Sequence, residues 1–264
     1  MWNLTGGSSL IAKYYGRLYG GSAEVITRKD FDRFGFTEYY GGTTFGGGTW
    51  NFYFRALLKS RHFDIIQIHS LDRLVPWLRT VYGSKPVVLQ YHGHDILNRW
   101  KEKEGRWKKA DFISFSTPDM ASPETPERAH YIKDMIDTDI FKPLDVERKP
   151  GTAFTFSYNM DDDARNLAKR MGLDLTIAKR FSVPMEEMPK VYSQYEYFFD
   201  LRKRPGEVEP VKCLGTGAFQ ALACGCKAVD WKGEVRSGFP EGHDPESVMS
   251  IWMGVYRDLR SRGE

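Results

Sequence analysis

Short apolar runs alternate with amphipathic segments along most of this chain, and that alternation is what most limits its fold. Parallel strands cannot be joined by a tight turn, so a strand–helix–strand rhythm reads as βαβ units on a mostly parallel sheet. Residues 23–27 (AEVIT), 63–69 (FDIIQIH), 86–92 (PVVLQYH) and 111–116 (DFISFS) read as strands. One helix is expected over 72–81, stopping near Gly83, and a charged one over 98–109. Thr117, Pro118 and Asp119 form a turn signal, and 122–127 is an exposed loop rich in Pro, Glu, Ser and Thr.

Pro143, Pro150 and a cluster of charges over 142–151 place a domain boundary there, giving domains 1–145 and 146–264. The second half repeats the pattern, with strands at 153–157, 174–178, 195–201 and 227–231. Between them lie helices from Asp161 to Gly172, over 186–193 and over 216–224. Asp161 reads as an N-cap, with Asp162 and Asp163 as first-turn carboxylates favoured by the helix dipole. A last helix over 245–260 aligns Val248, Ile251, Trp252, Val255 and Leu259 on one face, which packs on either domain.

Composition excludes several function classes. Hydrophobic residues make up 41% and aromatics 14% of 264 residues, ample for a buried core. A net charge of +3 lacks the basic stripe of a nucleic-acid binder, though it admits anionic substrates or peripheral contact with a lipid surface. No apolar run reaches the roughly 20 residues that span a bilayer. Residues 1–7 have neither the basic nor the apolar part of a signal peptide. Cys213, Cys224 and Cys226 lack zinc-site spacing; the last two read as small buried thiols, which fits a reducing cytosol.

The segment richest in chemistry runs from Gly215, Thr216 and Gly217 through Ala223, Cys224 and Gly225 into the strand at 227–231. Small residues at a helix start leave backbone N–H groups open to an anion, and the dipole adds positive charge, so the segment suits a diphosphate. Turn geometry alone is the other reading. Arg202, Lys203 and Arg204 are either phosphate-facing cations or a solvated loop. The glycine-rich loop 41–48, followed by aromatics at 50–54, is a flap over an acceptor or a linker before core aromatics. His92, His94 and Asp95 are not expected to bind a metal, because neighbouring positions at a strand end point different ways. No phosphate-loop, G-x-S-x-G or kinase signature is present.

Five stretches resemble family 4 of the retaining GT-B glycosyltransferases. FQALACGCKAV at 219–229 is similar to the family's E-A-(M/L)-A-C-G-x-P-V-V segment, and FDIIQIHS at 63–70 to its D-(I/V)-(I/V)-H-x-H strand. Residues 87–96, containing His92, Gly93 and Asp95, resemble its HG-x-D strand and loop. STPDM at 116–120 and IDTDIFKP at 136–143 resemble ST-x-x-L and N-G-V-D-T-x-x-F-x-P. The matches keep the family's order over about 60–230.

The resemblance implies two Rossmann-like, doubly wound α/β domains facing across a cleft. A nucleotide-sugar donor would act as co-substrate, with no metal or other cofactor, and the acceptor would be a glycan, a lipid or a small molecule. It implies that Gly215, Thr216 and Gly217 hold the donor phosphate, Gln220 faces the ribose and His92 lies near the transferred sugar. Gly6 and Gly7 would form the first-domain glycine loop, with Asp95 on the same acceptor side. The family also has a strand ahead of that loop; here Met1–Leu4 precede it. Where the family pairs two glutamates eight positions apart, this chain has Lys212 and Gln220. The amide still hydrogen-bonds a hydroxyl, and Lys212 reverses a charge and suits phosphate. The family's Arg and Lys after the first strand of its second domain are replaced by the acidic 161–163, which leaves Arg202 and Lys203 as substitutes.

The expected function is therefore transfer of a sugar from a nucleotide sugar, with retention, by a cytoplasmic enzyme, either free in the cytosol or at the inner face of the membrane. Two other classes fit the same residues: a non-catalytic nucleotide- or glycan-binding relative, and a sugar-nucleotide epimerase.

Overall fold

A computed structural model describes residues 6–262 apart from 33, 94 and 205. They divide into two compact units, one comprising residues up to Met135 together with those from Pro245 onward, the other Ile136–Asp244. The segment 136–145 thus groups with the second unit, and the last helix with the first.

The first unit opens with α1 (Gly7–Tyr19), set between Gly6 at φ 72° and Gly20 at φ 65°. Gly20 closes the helix by donating its N–H to the Gly16 carbonyl at 3.0 Å, the left-handed ending that favours glycine. The strand β1 (Ile26–Arg28), the single turn α2 (Phe36–Tyr39) and the strand β2 (Thr43–Phe45) follow, with β1 and β2 paired in parallel. Next comes α3 (Thr49–Ser60), so the glycine-rich loop contains a short strand and the aromatic run after it is helical. Phe52 and Tyr53 turn inward, while Trp50 and Phe54 face out.

The main sheet of this unit is built from β3 (Ile66–His69), α4 (Leu74–Val81), β4 (Val87–Tyr91), the single turn α5 (Glu104–Trp107), β5 (Phe112–Phe115) and β6 (Ala129–Tyr131). Its strands lie in the order β3-β4-β5-β6, all parallel. Every residue of β4 is buried, as an apolar strand covered on both faces requires. Val87 and Leu89 pack toward α3 and α4, in a cluster with Phe52, Leu78 and Trp100.

The charged helix expected over 98–109 is mostly irregular; only Glu104–Trp107 is helical. Two indoles decide this. Trp100, fully buried, donates to the Met120 carbonyl at 3.0 Å, and Trp107 donates to the Trp100 carbonyl at 2.7 Å, fixing the segment by tertiary contacts. The strand expected ahead of Gly6 lies outside the described residues.

In the second unit β7 (Lys149–Phe156), α6 (Asp161–Met171) and β8 (Asp174–Ala178) form the first βαβ crossover. Gly172, at φ 66°, ends α6 where expected. Asp161 is the first residue of the helix, not its cap; its carboxylate accepts the Ser157 hydroxyl at 2.9 Å. The chain continues through α7 (Met188–Gln194), β9 (Tyr195–Phe199), α8 (Thr216–Ala223), β10 (Lys227–Val229) and β11 (Val235–Arg236). The strand order is β11-β10-β9-β7-β8, parallel except for β11. The chain moves outward from β7 to β8 and then returns to the other side of β7 with β9. That reversal is the switch point at which open α/β sheets bind ligands, beyond the carboxyl ends of the strands.

The final helix, α9 (Pro245–Ser261), settles the question left by its apolar face. Val248, Met249, Trp252 and Leu259 pack with Leu10, Ile11 and Tyr14 of α1 and with Val88 of β4. Alternate residues of β4 thus serve opposite faces of the sheet, one against α3 and α4, the other against α1 and α9. Ile251, expected on the apolar face, is exposed.

Candidate functional site

In the first unit, two strands that are neighbours in the sheet end in histidine. His69 closes β3, and His92 follows β4 directly. His69 Nδ1 lies 2.8 Å from His92 Nε2, with the rings within 10° of parallel and their centroids 5.0 Å apart. Those values describe two rings bonded edge to edge in nearly one plane. His69 is 2% exposed, and burial, with the neighbouring His92 second, holds its pKa well below the usual histidine value, so it is a neutral imidazole.

The other nitrogen of His92, Nδ1, is buried and has no hydrogen-bond partner among the described residues; Asp134, just past β6, has a carboxylate oxygen 3.6 Å from it. Asp95 does not face outward with His92. Its carboxylate accepts the His92 backbone N–H at 3.1 Å and pins the turn after β4. His94 lies outside the described residues. Among the described residues no group of three or more His, Cys, Asp or Glu side chains is placed to hold a metal.

Gly6 sits at the start of α1 at φ 72°, where an added Cβ would lie 2.9 Å from the Phe36 ring; Gly7 is the first helical residue. Nearby, a cavity of about 450 Å³ runs within this unit between β1 and β3, lined by Ser8, Tyr15, Gln67, His69 and Tyr256 among others.

In the second unit, Gly215 and Thr216 begin α8 at the carboxyl edge of the sheet, next to the β7–β9 reversal. The helix start is held by Asp200, the residue after β9. Its buried carboxylate accepts the Gly215 N–H at 2.7 Å and Arg202 Nε at 2.7 Å. Arg202 also donates to the Cys213 carbonyl at 2.6 Å, and its guanidinium occupies the space a Cβ at Gly215 would need, 2.6 Å away. A side chain at 215 would displace the guanidinium through which Arg202 clamps the loop. The Asp200 carboxylate, first among the neighbouring charges, holds the Arg202 pKa up against burial.

Gly217 faces inward, where a Cβ would meet Tyr192 at 3.4 Å and Phe198 at 3.6 Å. Both are ordinary van der Waals distances, so a methyl group has room at this position. Gln220, one turn after Thr216 and on the same side of the helix, is 8% exposed, and its amide bonds to no described residue. Lys203 donates its backbone N–H to the Tyr158 carbonyl at 3.1 Å, tying the loops after β7 and β9 together across the reversal. Arg180 lies over the Tyr158 ring at 4.7 Å, a cation at this edge that the sequence did not single out. Lys212 is elsewhere, 3.6 Å from Glu209 and over the Trp231 ring, lining a separate cavity of about 510 Å³ with Phe219, Trp231 and Arg236.

Sequence reasoning singled out His92 but not its bond to His69 or its approach to Asp134. Both depend on strand order, and the only signal was that two expected strands each end in histidine. Asp200 gave no signal beyond being a carboxylate at a strand end.

No protein-family model matches the chain, and no curated protein matches it. Among solved structures, the crystal structure of MurG from Acinetobacter baumannii aligns over 98% of this chain and 89% of its own, with 10% identity and a TM-score of 0.42. That likeness is too distant to carry a function over.

Proposed function

We propose that this chain is a glycosyltransferase that moves a sugar from a nucleotide-sugar donor to an acceptor, with retention of configuration. The observation that carries the reading is Gln220. A buried carboxamide without a partner among the described residues, one turn along the helix that starts beside the β7–β9 reversal, suits the hydroxyls of a ribose. The α8 start and its dipole then favour the donor diphosphate, with Lys203 and Arg180 as the cations at that edge. His92 is the residue this reading assigns to the transferred sugar. In the reaction the bond from the sugar's anomeric carbon to the diphosphate oxygen breaks. The acceptor oxygen bonds to that carbon on the face from which the diphosphate departs, and its proton passes to the departing diphosphate oxygen, which leaves with the electron pair. Dipoles and cations stabilise the charge that develops on it.

His69 has a definite part in this reading. Held neutral, it keeps Nδ1 either as donor to His92 or as acceptor from it, so His92 is oriented with its free nitrogen toward Asp134.

One observation favours a second reading. Arg202, a sequence candidate for neutralising the diphosphate, is already committed to Asp200 and Cys213, which suits a chain that binds a nucleotide or glycan without transferring it. An epimerase would instead alter a free sugar nucleotide without any acceptor.

Calorimetric titration with nucleoside diphosphates and nucleotide sugars tests the donor site. One base should bind, and Gln220→Ala should weaken it by about tenfold, the scale of a lost pair of hydrogen bonds. Equal affinity in Gln220→Ala, with the fold intact by circular dichroism, would remove the basis of the proposal.

A further inference from the structure

Helices α3 and α4 present an apolar stripe on their outer faces. Trp50, Phe54 and Leu58 follow one another at four-residue intervals on α3 and are 71%, 63% and 45% exposed. Trp77 and Val81 form a second ridge on α4, 47% and 52% exposed. The ridges meet at Trp50 and Trp77, whose rings pack edge to face at 6.0 Å. The opposite faces of both helices are core, through Phe52, Tyr53 and Ala56 on one and Leu74, Val75 and Leu78 on the other. Single exposed hydrophobics are ordinary, but five on two adjoining ridges, two of them tryptophans, make a patch.

The charges beside the patch indicate what covers it. Neither helix contains an aspartate or glutamate. Arg55 follows Phe54, Arg61 caps α3 and Arg73 precedes α4; all three are exposed, and none forms an ion pair with a described carboxylate.

We propose that this face docks on the surface of an anionic lipid bilayer, the tryptophans and Phe54 seated among the headgroups and the arginines on their phosphates. Indole rings favour that interface, and an amphipathic helix lies in its plane. No described helix is long and apolar enough to cross a membrane, so the contact is peripheral. A second copy of the chain is a poorer occupant, because a two-fold contact would bring the same arginines face to face. A membrane-bound acceptor would then meet the unit that carries His92. The docking itself does not depend on the transfer reaction.

Co-sedimentation with vesicles tests it, using phosphatidylcholine with and without phosphatidylglycerol. The protein should pellet with the anionic vesicles and far less with phosphatidylcholine alone. Trp50→Ser/Phe54→Ser should lower partitioning about tenfold or more, with an unchanged thermal midpoint because both side chains are exposed. Arg55→Ser and Arg73→Ser should each lower it about fivefold. Wild-type protein left in the supernatant with anionic vesicles, or wild-type partitioning by Trp50→Ser/Phe54→Ser, would overturn the assignment. So would a dimer on gel filtration that this double variant abolishes, since it would give the face to a second copy.

Discussion

Asp200→Ala is the most informative change to the second unit. The carboxylate is 4% exposed and anchors the start of α8 through the Gly215 N–H while pairing with Arg202. A hydrogen bond to a charged acceptor contributes about 1.5–3 kcal/mol, and removing one member of a buried ion pair costs about 3–5 kcal/mol. Arg202 tempers this, because its side chain is 25% exposed and keeps the Cys213 carbonyl, so water relieves part of its stranded charge. With the hydrogen bond counted at about 2 kcal/mol and the ion-pair part halved to about 2, the loss for Asp200→Ala is about 4 kcal/mol. Asp200→Asn retains an oxygen for the Gly215 N–H and should lose about half as much. In Asp200→Ala/Arg202→Met the losses should fall short of additive by about 1–2 kcal/mol, since neither partner is left behind. Hydrogen exchange of peptides covering Thr216–Val229 reads the stability of this unit directly. A loss below about 1 kcal/mol in Asp200→Ala, or equal losses for alanine and asparagine, would refute the anchoring role.

Other expectations follow from burial. His69, with a lowered folded pKa, is protonated more readily in the unfolded chain, so stability should fall as pH drops below about 6.5. The slope should approach about 1.4 kcal/mol per pH unit between pH 6 and 5 and should flatten in His69→Asn, which urea unfolding across that range would reveal. Burial pushes the Cys224 and Cys226 thiols up to about 12, while Cys213 is partly exposed, so native protein should give one reactive thiol with a disulfide reagent and three after unfolding. Asp72 is buried against Lys103 at 2.7 Å and Arg106 at 3.1 Å; Asp72→Ala should cost about 3–5 kcal/mol by thermal unfolding, and Asp72→Leu/Lys103→Met should recover most of it.

The second unit was more legible in the sequence than the first, for physical reasons. Its elements follow one another as complete βα units with their punctuation in place: β8 runs over Asp174–Ala178 as read, and Gly172 stops α6 by adopting the left-handed conformation. In the first sixty residues local signals were weak. The aromatics of 50–54 do not separate helix from strand by themselves. Packing of Phe52, Tyr53 and Ala56 on the sheet decides for helix. The return of α9 to the first unit rests on contacts of Trp252 and Met249 with residues more than 150 positions earlier, such as Val88.

At the candidate site, residue types were readable and their partners were not. The small residues of 215–217 marked a helix start, yet Gly215 packs against the Arg202 guanidinium, and Gly217 lies beside Tyr192 and Phe198 with ordinary room for a Cβ. The basic run at 202–204 looked uniform in sequence, whereas Arg202 is clamped to Asp200 and Lys203 ties two loops through its backbone. Those roles exist only once β7 and β9 are adjacent.

The most direct test of sugar transfer is to incubate the purified chain with a panel of nucleotide sugars and follow release of nucleoside diphosphate by chromatography. With water as the default acceptor, one donor class should be consumed slowly. His92→Ala should abolish that release without changing affinity for the nucleoside diphosphate. Binding of a donor with no release, under these conditions and with candidate acceptors added, would contradict the transferase account and favour a non-catalytic binding protein.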